Sequence, residues 1–211
     1  MPPRKRTAGT EKTSEETRRR LLDAADEVLR EKGYAGASAR NIATAAGVTS
    51  ALVFYHFGGV DQLLLAAMDR DTAARMEAHS ATMAEVRTVE EFTAAAVTIY
   101  RTDLERGSLA KFSEMVAAAV TNEDLRKEIT ERAEPWLDFV AEHWDRVTRG
   151  TPLGKLLPAR DVANAAITFY LGVNLFSVID PDRRRTEDVF ALAQRLAPRV
   201  KLLTMKLPGR R

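Results

Sequence analysis

Residues 33–60 read GYAGASARNIATAAGVTSALVFYHFGGV, and the interpretation of the chain starts from this stretch. It contains no Asp or Glu, although the whole sequence is evenly charged, with 32 Lys and Arg against 30 Asp and Glu. Its alanine-rich pattern predicts two short helices joined by a tight turn at Gly47. The lack of carboxylates suits contact with a polyanion, because phosphates repel carboxylates and nucleic-acid affinity depends largely on electrostatics.

Hydroxyl and glycine residues mark the ends of these two helices. Ser38 is a candidate N-cap for a helix ending near Ala46, and Thr49 or Ser50 can begin a second helix ending near Phe57. Apolar residues suited to lock two crossing helices together are Ile42, Ala43, Ala46, Val48, Val53 and Phe57. The pattern predicts a helix-turn-helix, whose second helix enters the major groove. The alternative is an ordinary pair of short helices within an α-helical protein.

The positive charge is concentrated in the N-terminal part. Residues 1–60 carry ten Lys and Arg against seven Asp and Glu, whereas residues 61–211 carry 22 against 23. A basic head beside a nearly neutral body indicates a nucleic acid or membrane surface as partner for the head alone. We interpret residues 1–13 as a flexible basic arm, 14–60 as a DNA-binding domain and 61–211 as an effector-binding and dimerisation domain.

The remaining pattern is helical, and the predicted fold class is all-α. Thr13 and Glu16 form a predicted capping box for a first helix that ends near Lys32. Further helices are predicted over 61–84, 89–106, 109–120, 123–148, 159–179 and 186–205, with a linker over 149–158. Pro135 is predicted to kink or split its helix. Because strand-like alternation is missing, we expect a three-helix head followed by a helical bundle.

Composition argues against several other classes of protein. The chain has no cysteine, so disulfide and thiol chemistry are excluded. It has no run of about 18 apolar residues and no signal-peptide pattern, so we expect a cytoplasmic protein without a membrane partner. Histidines 56, 79 and 143 show no metal-ligand spacing, and GxSxG and phosphate-binding glycine motifs are missing. We therefore expect no enzyme activity, no cofactor and no metal.

The stretch GYAGASARNIATAAGVTSALVFYHFGGVDQLL, residues 33–64, resembles the DNA-binding region of the TetR family of transcriptional regulators. The resemblance is closest over about Thr17 to Leu65. It implies a homodimeric repressor that a small apolar effector releases from a pseudo-palindromic operator on double-stranded DNA. Two alternatives stay open. One is a ligand-independent dimeric DNA-binding protein, and the other, more remote, is a cofactor-free enzyme on a helical bundle.

The resemblance also implies which residues contact DNA: Arg18, Ser38, Arg40, Thr49, Ser50, Leu52, Phe54, Tyr55 and His56. Arg40 is the first candidate to read a guanine, a contact worth roughly 1–3 kcal/mol of discrimination, with a phosphate contact as its alternative. Leu52 is assigned to a thymine methyl group or to burial. His56 is assigned to a phosphate or to the end of its helix.

Two positions depart from the family pattern. The family usually has Tyr where this chain has Phe54, and Lys where it has Val60, so two contacts to the DNA backbone are expected to be missing. Fewer phosphate contacts imply a shallower salt dependence of binding. The basic runs Arg4–Arg6 and Arg18–Arg20 are candidates to compensate, with solvated tails and helix faces as the alternative.

The body is predicted to bind the effector. Candidate lining residues are Met68, Tyr100, Phe112, Met115, Trp136, Phe139, His143, Tyr170 and Asn174, with ordinary core packing as the alternative for each. Tyr100, His143 and Asn174 are polar residues among apolar neighbours, which favours them as polar contacts in a pocket.

The last two long helices, about 159–205, are predicted to form the homodimer, with a monomer that contains one fully buried helix as the alternative. The segment from Ala163 to Ile179 is apolar nearly all round, which indicates a helix that faces the core on one side and a partner subunit on the other. A dimer would present two recognition helices to one operator. We expect the helix starting near Asp61 to carry the effector signal to the head.

Overall fold

The computed structural model describes residues 8–177, 180 and 182–204, and in this part of the chain the fold is all-α, as predicted. The helices are α1 (Ala8–Gly36), α2 (Ala39–Ala46), α3 (Ala51–Phe57), α4 (Val60–Met83), α5 (Val89–Glu105), α6 (Ser108–Ala119), α7 (Glu123–Thr148), α8 (Pro152–Leu156), α9 (Ala159–Ser177) and α10 (Arg184–Leu196). A 3₁₀-helix, Ala197–Thr204, follows α10.

Helix α1 begins earlier than the sequence indicates. It starts at Ala8, so residues 8–13 are helical and the arm prediction is wrong for them, while residues 1–7 lie outside the described residues. Thr13 lies inside the helix, where its backbone carbonyl accepts a hydrogen bond from the Thr17 hydroxyl at 2.9 Å. The predicted capping box is therefore wrong, because no proline between Ala8 and Thr13 stops the helix from extending backwards.

The next two helices follow the local signals closely. Ser38 is the N-cap of α2, and its hydroxyl accepts a hydrogen bond from the Asn41 backbone N–H at 3.2 Å. Gly47 ends α2 in the left-handed conformation at φ 63°, which glycine adopts without steric cost. Ile42 and Val53 are fully buried and lock the two helices together. These features confirm the predicted helix-turn-helix.

Three predictions in the C-terminal part need correction. Helix α7 runs through Pro135 as one helix, so of the two predicted outcomes the split does not occur, and the kink stays a prediction. The predicted linker 149–158 contains α8, which Thr151 caps by accepting a hydrogen bond from the Gly154 N–H at 3.2 Å. Helix α10 gives way to the 3₁₀-helix at Ala197. Pro198 has no N–H to continue the α-helical bonding, which explains the change.

The chain divides into two compact units. Unit 1 comprises Met1–Ala73 and Glu114–Arg126, and unit 2 comprises Ala74–Ser113 and Lys127–Arg211. Unit 1 contains the helix-turn-helix, and Leu21, Leu63 and Leu64 are among its fully buried residues. The functional boundary at residue 60 stays a prediction.

Two apolar clusters lie among the described core residues of unit 2. One joins Met83, Val86, Val89, Phe92, Ala95, Trp144, Leu153 and Ala197. Within it the rings of Phe92 and Trp144 meet edge to face, with their centroids 5.4 Å apart. The other joins Val97, Tyr100, Leu109, Val173 and Phe190. The aromatic residues of the body are thus largely committed to packing around α5, α7, α9 and α10.

Candidate nucleic-acid interface and effector region

Most of the side chains predicted to contact DNA lie on the surface of unit 1. The exposed ones are Arg18, Ser38, Arg40, Thr49, Ser50, Phe54 and Tyr55, whereas Leu52 and His56 are half-buried. On α3 the residues Ala51, Phe54 and Tyr55 share one face, because residues three and four apart are neighbours on a helix. Val53 faces the opposite way and is fully buried. The helix therefore has one anchored side and one solvent-exposed side.

Arg40 is the exposed cation of α2. It is exposed near the start of α2, and no described residue holds its guanidinium in a hydrogen bond or ion pair. No carboxylate lies between Gly33 and Val60 to compete for it. Arginine presents donors in a planar fork that matches the two acceptors of a guanine edge as well as a phosphate. The side chain is thus available for either contact.

Ser38 has a structural role at the same end of α2. Its oxygen accepts the Asn41 N–H, while the Asn41 side-chain amide donates to the Gly36 carbonyl at 2.9 Å. A hydroxyl still has one O–H donor after accepting a bond. Ser38 can therefore cap the helix and donate to a phosphate oxygen at the same time.

The basic run Arg18–Arg20 binds groups within unit 1. Arg18 donates to the His56 carbonyl at 3.1 Å, and its guanidinium lies 4.3 Å from the Phe57 ring centre. Arg20 donates to the carbonyls of Ala46 and Gly47. These cations lie at the C-terminal ends of α3 and α2, where the helix dipole favours positive charge. The sequence pattern does not reveal this role, and compensation for missing phosphate contacts stays a prediction.

A second set of contacts ties residues 114–126 into unit 1. The Tyr34 hydroxyl donates to Asp61 at 2.7 Å, and the Tyr34 N–H donates to the Glu114 carboxylate at 2.9 Å. The Asn122 amide also donates to Asp61, at 3.3 Å. Burial, reinforced by the hydrogen bond to Asp61, raises the pKa of the Tyr34 phenol. The end of α1 and the start of α4 are therefore fixed to the segment after Ser113.

Unit 2 contains a buried polar cluster centred on Asp103, which is fully inaccessible to solvent. Its carboxylate accepts hydrogen bonds from Arg75 at 3.0 and 2.6 Å and from the Tyr170 hydroxyl at 2.7 Å. It also lies 3.1 Å from His79 Nε2. Arg75 lies 4.8 Å from the ring centre of Trp136. The cluster joins α4, α5 and α9 and was not predicted from the sequence.

The pKa of Asp103 reflects a competition between two effects. Burial alone would raise it, but hydrogen bonds from His79, Arg75 and Tyr170, together with the charge of Arg75, outweigh burial and lower the pKa to about 2. The carboxylate is therefore ionised at neutral pH and pairs with Arg75. A buried charge pair with satisfied hydrogen bonds tolerates the loss of one partner badly.

The predicted effector residues fall into separate groups. In unit 2 the Tyr100 ring contacts Tyr170 and Phe190, with centroids 6.2 and 4.9 Å away. Phe139 contacts Trp136 and His143. The Asn174 amide donates to the Leu109 carbonyl at 3.0 Å and to the Ser113 hydroxyl. Phe112 is half-buried on α6, and Met68 and Met115 belong to unit 1.

Tyr100 differs from the other predicted polar contacts. Its side chain is buried, and its hydroxyl has no hydrogen-bond partner among the described residues. Burial raises the pKa of this phenol, so the group stays neutral at physiological pH. An unsatisfied buried hydroxyl costs about 1–3 kcal/mol. Among the described polar groups of unit 2, this hydroxyl is thus the one with the most to gain from a bound partner.

We expect Tyr100→Phe to raise the free energy of unfolding by about 1 kcal/mol, because the change removes an unsatisfied buried hydroxyl and keeps the ring. Urea denaturation of the wild-type and variant proteins measures the difference. Tyr170→Phe is the matched control and is expected to destabilise, because its hydroxyl donates to Asp103 and accepts from Arg75. A destabilised Tyr100→Phe variant would contradict the assignment of that hydroxyl as unsatisfied.

No group of three or more His, Asp or Glu side chains among the described residues could hold a metal ion. None of the described helices is by itself long and apolar enough to cross a membrane, although α3 and α4 together, bent by 60°, meet those two criteria.

The known proteins that this chain is similar to are transcriptional regulators. Residues 21–67 match the family model described as bacterial regulatory proteins, tetR family. The chain is 35% identical over 114 residues to an uncharacterized HTH-type transcriptional regulator of Mycobacterium tuberculosis, and this match spans 54% of the chain and 58% of the relative. It is 38% identical over 60 residues to the HTH-type transcriptional repressor AcnR of Corynebacterium efficiens, spanning 28% of the chain and 31% of that protein.

A solved structure shares the fold over most of the chain. FadR from Bacillus subtilis, a transcriptional regulator in complex with stearoyl-CoA, has a TM-score of 0.63 and 18% identity, and the match covers 85% of this chain and 96% of FadR. At this level of identity the similarity concerns the fold.

Proposed function

We propose that the chain is a member of the TetR family, whose model its residues 21–67 match, and that it is a DNA-binding transcriptional repressor released from a pseudo-palindromic operator by a small apolar effector. The observation that carries the proposal is the exposed, carboxylate-free surface of α2 and α3, with Arg40 unpaired among the described residues. Such a regulator would act in the cytoplasm, where bacterial DNA lies.

We assign α3 to the major groove and α2 to its edge. Arg40 reads a guanine, while Ser38 donates to a phosphate and so fixes the start of α2 on the duplex. Thr49 and Ser50, at the start of α3, offer hydroxyls to base edges or phosphates. Tyr55 is exposed and has a hydroxyl for a phosphate. In this assignment Ser38 and Tyr55 position the protein on the DNA backbone, whereas Arg40 reads the base sequence.

Arg18, Leu52 and His56 have less freedom. Arg18 already donates to the His56 carbonyl, but a guanidinium has five N–H donors and can contact a phosphate as well. His56 and Leu52 are half-buried, so only part of each side chain is accessible to DNA. We therefore propose that all three residues hold α3 in position and contact DNA at the periphery of the interface.

Repression and effector release are supported by the relatives. AcnR is named as a repressor, and FadR was solved with stearoyl-CoA, a ligand with a long apolar chain. In this chain the apolar clusters around α5 and α9 would receive the effector, and the unpartnered Tyr100 hydroxyl would bind its polar group. The effector can shift DNA affinity only by its differential affinity for the two states of the protein.

A ligand-independent regulator is the second candidate. The polar groups of Tyr170 and Asn174, both predicted effector contacts, are engaged in internal hydrogen bonds. A body whose polar groups are satisfied internally can serve dimerisation alone. Thermal stability measured against a panel of fatty acids and acyl-CoA esters separates the two candidates, because an effector that binds only the folded state raises the melting temperature.

We expect Arg40→Ala to lose preference at one base position per half-site, at a cost of about 1–3 kcal/mol for the preferred sequence. Selection of bound duplexes from random DNA at fixed salt gives the wild-type site, and titration of single-base variants gives the cost. Arg30→Ala, which removes another exposed arginine of unit 1, is the control and should keep the base preference. Equal weakening on all sequences by Arg40→Ala would make Arg40 a phosphate contact.

A further inference from the structure

The exposed surface of α2 and α3 carries two large aromatic side chains that are in contact with solvent. Phe54 is 56% exposed and Tyr55 is 72% exposed, whereas Leu52 on the same helix is half-buried. Burying a phenylalanine side chain stabilises a protein by about 1.5–3 kcal/mol relative to leaving it exposed. Phe54 forgoes much of that gain in the free protein, and the gain becomes available when a partner covers it.

The chemistry of Phe54 restricts what it can recognise. Its side chain has no hydrogen-bond donor or acceptor, so it cannot bind a phosphate oxygen or the polar edge of a base. In the major groove the one apolar feature of the base pairs is the C5-methyl group of thymine. Within the described part of the chain no ring stacks on Phe54 to occupy it instead. A phenylalanine at this position is therefore suited to read a methyl group.

The surroundings of Phe54 select DNA as the partner. No carboxylate lies in residues 33–60, and the exposed groups beside α3 include the hydroxyls of Thr49 and Ser50. An apolar side chain framed by hydroxyls, without acids, suits a groove lined by phosphates. A partner without dense negative charge would gain little from the absence of acids.

We propose that Phe54 packs against the methyl group of a thymine and so makes thymine a required base at one position of each half-site. The inference rests on the proposed function and adds the base class that α3 reads. It replaces the expectation that Phe54 only marks a missing phosphate contact, and it transfers methyl reading from the half-buried Leu52 to the exposed Phe54.

The test uses the duplex returned by selection with the full-length protein. Each thymine is replaced singly by deoxyuridine, which removes the methyl group and keeps the base pair, and affinity is measured by fluorescence anisotropy at fixed salt. The wild-type protein should lose about fourfold in affinity at one thymine per half-site, the loss expected for one methyl-sized apolar group. Phe54→Ala should bind the thymine and deoxyuridine duplexes equally at that position.

Two further variants serve as controls for misfolding and for the loss of an exposed apolar residue elsewhere in unit 1. Phe54→Tyr keeps the ring and should keep the discrimination, which separates methyl contact from misfolding. Val120→Ala truncates another strongly exposed apolar residue of unit 1 and should also keep it. The proposal is overturned if Phe54→Ala still discriminates, if only Leu52→Ala loses discrimination, or if the wild-type protein tolerates every deoxyuridine. These results leave the proposed function standing, whereas failure of the wild-type protein to bind any duplex would refute both.

Discussion

Replacing Asp103 by alanine is expected to lower the free energy of unfolding by about 3–5 kcal/mol, because it leaves a buried arginine charge without its partner. Arg75 donates two hydrogen bonds to this carboxylate, and Tyr170 donates a third. The variant loses all three acceptor contacts and exposes the cation to an apolar environment. Urea denaturation followed by circular dichroism measures the change.

A matched control comes from an exposed ion pair in the same unit. Arg101 and Glu187 lie 2.6 Å apart at the surface, and Glu187→Ala should change the free energy of unfolding by less than about 1 kcal/mol.

The pH dependence offers a second test. Because the pKa of Asp103 is lowered to about 2, its contribution to stability is present above its unfolded value of 3.8 and is lost as the pH falls towards 2. Asp103→Ala should lack this part of the acid transition. A loss of stability no larger than that of Glu187→Ala would contradict the buried pair.

The Asp103 cluster marks the limit of what the sequence could predict. Arg75 and Asp103 are 28 residues apart, and Tyr170 is 67 residues beyond Asp103. Helical periodicity shows that Asp103 shares a face with Tyr100, but it does not show which face of another helix that residue meets. A charged residue on an amphipathic helix is ordinarily assigned to solvent, so nothing in the pattern singled out these charges.

The helix-turn-helix could be predicted because its signals are local. A hydroxyl at Ser38, a left-handed glycine at Gly47 and apolar residues at helical spacing each act within a few residues, and the structure uses all three. Helix ends without such signals differ between prediction and structure. Nothing near Thr13 stops α1, and α10 ends before Pro198 although the pattern predicts a helix up to residue 205.

The DNA-facing residues divide in a similar way. The exposure of Arg40 and Phe54 follows from their places on α2 and α3 and could be expected from periodicity. The engagement of Arg18 and Arg20 with the carbonyl ends of α3 and α2 could not, since it depends on how α1 crosses those helices. Counting basic residues therefore overestimates the charge that is free for phosphates.

We propose that α9 and α10 form a homodimer interface, and on that proposal changing Leu175 to glutamate is expected to convert the protein into monomers and to lower its affinity for a two-half-site operator by at least about 100-fold. Leu175 is 69% exposed on α9, so the monomer has room for a glutamate there. Exposed apolar residues on α9, α10 and the following 3₁₀-helix include Phe169, Phe176, Val189, Leu192, Leu196 and Leu203. A concentration of exposed apolar residues is typical of a protein interface, and a carboxylate placed in such an interface has no partner.

The loss of affinity follows from the coupling of two weak binding events. In a dimer, binding of the first head raises the effective concentration of the second at the other half-site, which adds a factor of about 10²–10⁴ to the overall affinity. Half-sites about 34–36 Å apart, or a multiple of that, allow both heads to bind one side of the duplex.

Sedimentation equilibrium gives the subunit state, and anisotropy titrations on duplexes with one or two half-sites give the coupling. Leu156→Glu, at a residue 66% exposed on α8, is the control and should remain dimeric. If Leu175→Glu stays dimeric, the interface lies elsewhere, and if the monomer binds both duplexes as tightly as the wild-type protein, operator recognition does not require two linked heads.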